Sequence, residues 1–119
     1  SRKPRRAALS KADGSCPVRD FLDTLDDKML AKLLGTISLL EANGTQLREP
    51  YSKSLGDGIF ELRAKQSSII TRILYFFVVG HQIILTNGFV KKTQKTPPEE
   101  IALAQKYRAD YFYRKESSS

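Results

Sequence analysis

Apolar residues recur along this chain with two different periods. From Pro17 onward, Val18, Phe21, Leu22 and Leu25 fall at i, i+3, i+4 and i+7, which is one face of a helix. Pro17 suits a first turn, with Ser15 or Cys16 near the cap. A second helix is predicted from about Asp26. Met29, Leu30, Leu33, Leu34, Ile37 and Leu40 keep the helical period, and Glu41 returns to a polar face. Asn43-Gly44 ends this helix, with Gly44 in the left-handed C-terminal position. The two helices make an amphipathic pair with one apolar stripe to bury. After the turn signal Gly56-Asp57-Gly58 the period drops to two. Phe60, Leu62 and Ala64 alternate with Glu61, Arg63 and Lys65, as in a half-buried strand. Ile69 to Val79 is rich in β-branched and aromatic residues, and Gly80-His81 reads as a two-residue hairpin turn. Gln82 to Val90 returns, so residues 58–90 predict a three-stranded antiparallel meander. Thr96-Pro97-Pro98-Glu99 fits a capping box with Pro97 at the first helical position. Ile101, Ala104 or Gln105, Arg108 and the Tyr107/Tyr111/Phe112 group continue that last helix. A short strand over residues 6–11 has little alternation behind it, and Ser117–Ser119 reads as a frayed end.

Length and composition narrow the class. The 119 residues, 40% apolar and 28% charged, are those of a globular chain. They suit a single domain, 1–119, with residues 1–12 a basic segment and 115–119 a tail. One cysteine leaves no internal disulfide framework, and with it a cytoplasmic setting is expected. The longest apolar run, Ile73 to Gly80, is far short of the roughly 20 residues of a membrane helix, so no membrane partner is expected. The basic N-terminal segment lacks the apolar stretch of a signal peptide. There is no CxxC and no HExxH, so no metal or cofactor is expected.

The formal net charge is +7 and its distribution is uneven. Residues 1–11 carry five basic side chains and no acid, whereas residues 13–27 hold five Asp against Arg19. From residue 91 to the end, seven Lys and Arg face four acids. Phosphate-rich partners fit such a balance, and so does a merely solvated surface.

Two features carry candidate chemistry. By strict alternation Ile70, Arg72, Leu74, Phe76 and Val78 share one face of the central strand, and Arg72 interrupts an otherwise apolar surface. A guanidinium there needs a partner or an anion. One reading is a cross-strand Arg72–Glu61 pair that only stabilises the sheet. The other is a phosphate site in which Glu61 orients Arg63 and Arg72. The second feature is Phe89-Val90-Lys91-Lys92-Thr93-Gln94-Lys95-Thr96-Pro97, three lysines between a strand and a helix N-terminus, where anions are favoured. Phe89 suits the core better than a base-stacking platform. Lys91, Lys92 and Lys95 are the crowded cations of this string, and a lysine among other cations is a candidate base. His81 reads as a surface turn residue and Cys16 as structural. The Asp20, Asp23, Asp26 and Asp27 group reads as helix-start and surface charge.

The strings Pro50-Tyr51-Ser52-Lys53-Ser54-Leu55, Gly58-Ile59-Phe60-Glu61-Leu62-Arg63, Arg72-Ile73-Leu74-Tyr75-Phe76 and Gly88 to Pro97 occur in that order. Together with Pro17 to Leu22 and Asn43-Gly44, they resemble the phage-derived HigB-like branch of the RelE toxin superfamily, from about Asp13 to Tyr111. The resemblance implies an α+β fold: a twisted antiparallel sheet, two N-terminal helices on one face, a concave basic opposite face, and a C-terminal helix. The family usually opens with a strand of alternating apolar residues, and Pro4 to Leu9 is a poor match to it. The resemblance also implies a type II toxin neutralised by a helix-turn-helix antitoxin, touching operator DNA only through that complex. The implied activity is metal-independent endoribonuclease cleavage of translated mRNA at the ribosome. Carried over by position, Arg63 and Arg72 hold the phosphate, and Lys91 and Lys92 add charge or act as acid and base. Lys95 holds the RNA backbone, Phe89 contacts a base, and Lys53 contributes from a loop before the sheet. The alternative, from another class, is a non-catalytic nucleic-acid-binding regulator using the same basic face.

Overall fold

The structure is a computed structural model that describes residues 5–8, 16–78, 82–91 and 95–117. Five strands form one sheet: β1 (Arg5–Ala8), β2 (Ser52–Gly56), β3 (Ile59–Gln66), β4 (Ile69–Val78) and β5 (Gln82–Lys91). Their spatial order is β1-β5-β4-β3-β2. Strands β2 to β5 are antiparallel neighbours, and β1 joins the outer edge of β5 in parallel, Arg5 opposite Gln82. Three helices complete the α+β fold: α1 (Pro17–Leu22), α2 (Asp27–Asn43) and α3 (Pro98–Ser117).

The helix pair forms for the reasons its pattern gives. The Asp26 carboxylate accepts from the Met29 backbone N–H at 2.8 Å and so caps α2. Gly44, at φ 56°, ends it. Met29, Leu33, Ile37 and Leu40 are buried against Leu62, Ala64, Ile73, Tyr75, Ile83 and Leu85 on one face of the sheet. Leu34, which shares the helical period, is instead exposed. Phe60, Tyr75 and Phe77 lock that face further, with ring centroids 5.4–5.6 Å apart. The Tyr75 hydroxyl meets Ser52 Oγ at 2.5 Å, and burial pushes its pKa up against the opposing effect of that bond.

The other face is not left open along its length. Helix α3 lays Ala104, Tyr107 and Tyr111 over Ile59, Leu74, Phe76 and Ile84, a second apolar cluster. Arg108 ties the helix to the β2–β3 turn: its Nη2 is 2.9 Å from Asp57 Oδ2, and its Nη1 donates to the Asp57 carbonyl. Glu61, Arg63 and Arg72, with Ile101 of α3, border a cleft on this face.

Four expectations from the sequence change. Lys53 lies on a strand, β2, and not on a loop. That strand is an edge of Ser and Lys with little apolar alternation, held to β3 by pairs such as Lys53↔Glu61. The first strand is Arg5–Ala8, whereas residues 9–11 of its expected span lie outside the described residues. Helix α3 begins at Pro98, and Thr96, expected to cap it, donates its hydroxyl to Glu61 instead. The hydroxyl proton goes to a buried, charged carboxylate, which makes this a charge-assisted bond. Finally, β5 is not a regular strand: its register against β4 shifts between Ile73↔Gly88 and Tyr75↔Leu85. The Gly80-His81 turn lies outside the described residues, though Val78↔Gln82 pairing flanks it.

Candidate functional site

The register shift in β5 is what assembles the site. Thr86 and Asn87 together oppose Leu74, one residue more than the ladder needs. Before this bulge, Ile83 and Leu85 face α1 and α2. Without the extra residue Phe89 would fall on that same face. With it, Phe89 crosses to the opposite face, packs half-buried beside Leu74 and Phe76, and pairs directly with Arg72. Lys91 pairs with Ile70, two residues further along. The bulge is held from both sides. Thr86 Oγ1 donates to the Leu74 carbonyl at 3.0 Å and to Asn87 Oδ1 at 2.7 Å, and Asn87 Nδ2 donates to the Glu100 carboxylate of α3 at 3.0 Å. Gly88 follows on the α1 side, where a Cβ would meet the Phe21 ring at 2.4 Å.

Glu61 sits at the centre of the site, on β3, with no exposed surface. Three side chains converge on it from three elements. Arg63 Nε donates to Oε2 at 2.9 Å, Arg72 Nη1 donates to the same oxygen from β4, and the Thr96 hydroxyl donates to Oε1 from the approach to α3. Burial raises the Glu61 pKa. The bonds from Thr96 and Arg63 and the charges of Arg72 and Arg63 outweigh it and hold the carboxyl below its ordinary range. Arg72 is 5% exposed, and burial lowers its pKa against the support of Glu61, with Arg63 adding to the lowering. A guanidinium nevertheless stays charged at any physiological pH. Arg63 is less enclosed and reaches the exposed Glu49 at 3.4 Å with Nη1.

A cleft of about 220 Å³ opens beside this cluster, lined by Lys53, Glu61, Arg63, Arg72, Lys95 and Thr96 over the apolar floor of Leu55 and Ile101. Four cations therefore border it against one carboxylate, and that carboxylate is already bonded to both arginines. The surplus suits a phosphate or a phosphorane-like transition state. Of the residues singled out from sequence, Arg63, Arg72, Lys53 and Lys95 share this one cleft. Phe89 is brought beside Arg72 by register, whereas Lys92 lies outside the described residues. The Arg72–Glu61 pair weighed as a sheet stabiliser does form. Thr96 was missed as a site residue, because the capping-box pattern accounts for the same threonine without any distant partner.

Residues 20–115 match the family model described as phage derived protein Gp49-like (DUF891), so the chain belongs to that family, a RelE-like group associated with the toxins of toxin–antitoxin systems. No curated protein matches the chain. No helix among the described residues is long and apolar enough to cross a membrane.

Proposed function

We propose that this member of the Gp49-like family is a type II toxin of the phage-derived HigB-like kind, an mRNA endoribonuclease acting in the cytoplasm on translated mRNA at the ribosome. The observation that carries the reading is the convergence of Arg63, Arg72, Lys53 and Lys95 on one cleft around a single buried carboxylate. In the reaction the RNA 2′-OH gives its proton to a base and attacks the adjacent phosphorus. The P–O5′ bond breaks and O5′ takes a proton from an acid, leaving a 2′,3′-cyclic phosphate and a 5′-hydroxyl. Arg63 and Arg72 neutralise the charge that builds on the non-bridging oxygens. Glu61 holds the two guanidinium groups at a fixed spacing, so no reorganisation is needed as that charge develops. Lys91 and Lys92 add charge or act as acid and base, Lys95 and Lys53 hold the backbone, and Phe89 contacts a base. A helix-turn-helix antitoxin neutralises the toxin, and operator DNA is bound through the pair.

The second reading, a non-catalytic nucleic-acid-binding regulator, draws on the fact that Arg72 already has its counter-charge in Glu61. One experiment separates the two. Purified protein is added to translating ribosomes with a defined mRNA, 5′ ends are mapped by primer extension, and product 3′ ends are analysed. The toxin reading expects new ends carrying cyclic or 3′-phosphate, lost in Arg63→Ala. The regulator expects salt-sensitive binding with RNA ends unchanged. Arg63 is the better residue to replace, because Arg72→Ala also strips a partner from buried Glu61.

A further inference from the structure

A second, larger cleft, about 530 Å³, lies round the open edge of β3, next to the site above. It exists because β2 pairs with β3 only as far as Ser52↔Leu62. The Tyr51 carbonyl accepts from the Arg63 N–H at 2.8 Å, and beyond it β3 runs on to Gln66 without β2 beside it. Helix α2 closes the other side with Lys32 and Thr36. The volume is that of a small-ligand site. All the charged residues that line it are cations: Lys32, Arg63, Lys65 and Arg72. Tyr51, a residue 45% exposed, borders it. Arg63 and Arg72 also line the smaller cleft, so the two cavities meet at the arginine pair. Arg72 is nine-tenths buried, yet its Nε has no hydrogen-bond partner among the described residues, a donor that Glu61 leaves unused.

We infer that this larger cleft is a subsite for the nucleotide flanking the reacting phosphate, its base stacked on the Tyr51 ring and its own phosphate toward Lys32 and Lys65. The inference rests on the RNA-cleaving reading and deepens it: it assigns the ligand as single-stranded RNA and adds a recognition residue outside the catalytic cluster. Aromatic platforms bordered by cations are how proteins hold unpaired nucleotides, because every base has a face to stack while the backbone needs only positive charge. An acidic peptide would satisfy the lysines but has no flat face to lay on a ring.

The test uses short 5′-labelled RNA with 2′-O-methyl groups throughout, so that no 2′-OH is free to attack and binding is read apart from cleavage. Fluorescence anisotropy compares wild type, Tyr51→Phe and Tyr51→Ala, on the intact oligonucleotide and on a series with an abasic sugar at each position in turn. Tyr51→Phe should bind as wild type does. Tyr51→Ala should bind about 5- to 100-fold more weakly, the usual range for one lost base stack. One abasic position should weaken wild type and Tyr51→Phe by a similar factor and leave Tyr51→Ala unchanged. The replaced residue is half exposed, and the backbone carbonyl that pairs with Arg63 is retained, so coincident melting curves are expected for all three. Wild-type affinity in Tyr51→Ala, or equal abasic losses in all three proteins, overturns the subsite even where mRNA cleavage is intact. The expected tyrosine pattern without any cleavage keeps the subsite and removes the catalytic reading. A wild type that binds no RNA, or takes up an acidic peptide in its place, overturns both.

Discussion

At the scale of single residues, the molecule turns on one carboxylate. Glu61 is fully buried among two arginines and a threonine hydroxyl, and its pKa is held below the ordinary 4.5. Its ionised form therefore contributes stability that is complete above pH 4.5 and is lost as pH falls through the lowered value. Glu61→Gln should be less stable than wild type at pH 7 and should show a smaller loss on acidification below 4.5. Urea midpoints collected down that pH series measure both, and parallel curves would show that the carboxylate charge contributes nothing to folding. Removing the partner is a harsher change. Breaking a buried ion pair costs about 3–5 kcal/mol where one charge is stranded. Here Arg63 and Thr96 still hold Glu61, so Arg72→Ala should fall toward the low end, lowering the melting temperature by roughly 10–20 °C. Calorimetry checks this, and a melt matching wild type would mean that Arg72 is there for ligand alone. That Arg72 needed a partner was legible in the sequence, because one charged residue broke an apolar alternation. That Thr96 is a further partner was not. Its local pattern is complete without Glu61, and a contact 35 residues away leaves no periodic trace.

At the scale of elements, what was legible followed from how each one is buried. Helices α1 and α2 each bury one regular face, so their period survives in the sequence, whereas β4 is buried on both faces and reads as a nearly continuous apolar run. Strand β2 buries Ser52 and exposes Lys53 and Ser54, so it leaves no apolar rhythm to read. The bulge in β5 is a property of pairing and is invisible until β4 is laid beside it. Yet it decides that Phe89 stands next to Arg72. Gly88, the residue that follows, has room only for a hydrogen where Phe21 of α1 lies over it. Gly88→Ala should cost roughly 1–3 kcal/mol, the range for an overpacked core. Pairing it with Phe21→Leu should recover part of the loss. Denaturation of the two single variants and the double variant measures the coupling. Purely additive effects would show that α1 does not rest on Gly88 in solution.

At the scale of the whole molecule, an excess of seven positive charges gives any RNA contact a strong ionic-strength dependence. For a single strand, log K falls with log salt by about 0.7 for each phosphate neutralised. Lys95→Ala and Lys53→Ala, both at exposed positions bordering the cleft, should each reduce that slope by about 0.7. Salt titrations of oligonucleotide binding read this directly, and an unaltered slope would take that lysine off the RNA path. Another consequence concerns the order in which the sheet is made. Strand β1 completes the sheet by lying parallel to β5, with Arg5 opposite Gln82. As the chain is synthesised, β1 emerges first of the described strands, and β5, its neighbour among them, emerges last. At the usual 5–20 residues per second that wait is on the order of 4–15 s. Throughout it both edges of β1 are open to any other strand nearby, so the four charges and two alanines of Arg2 to Ala8 act before folding ends, as a guard against the wrong neighbour.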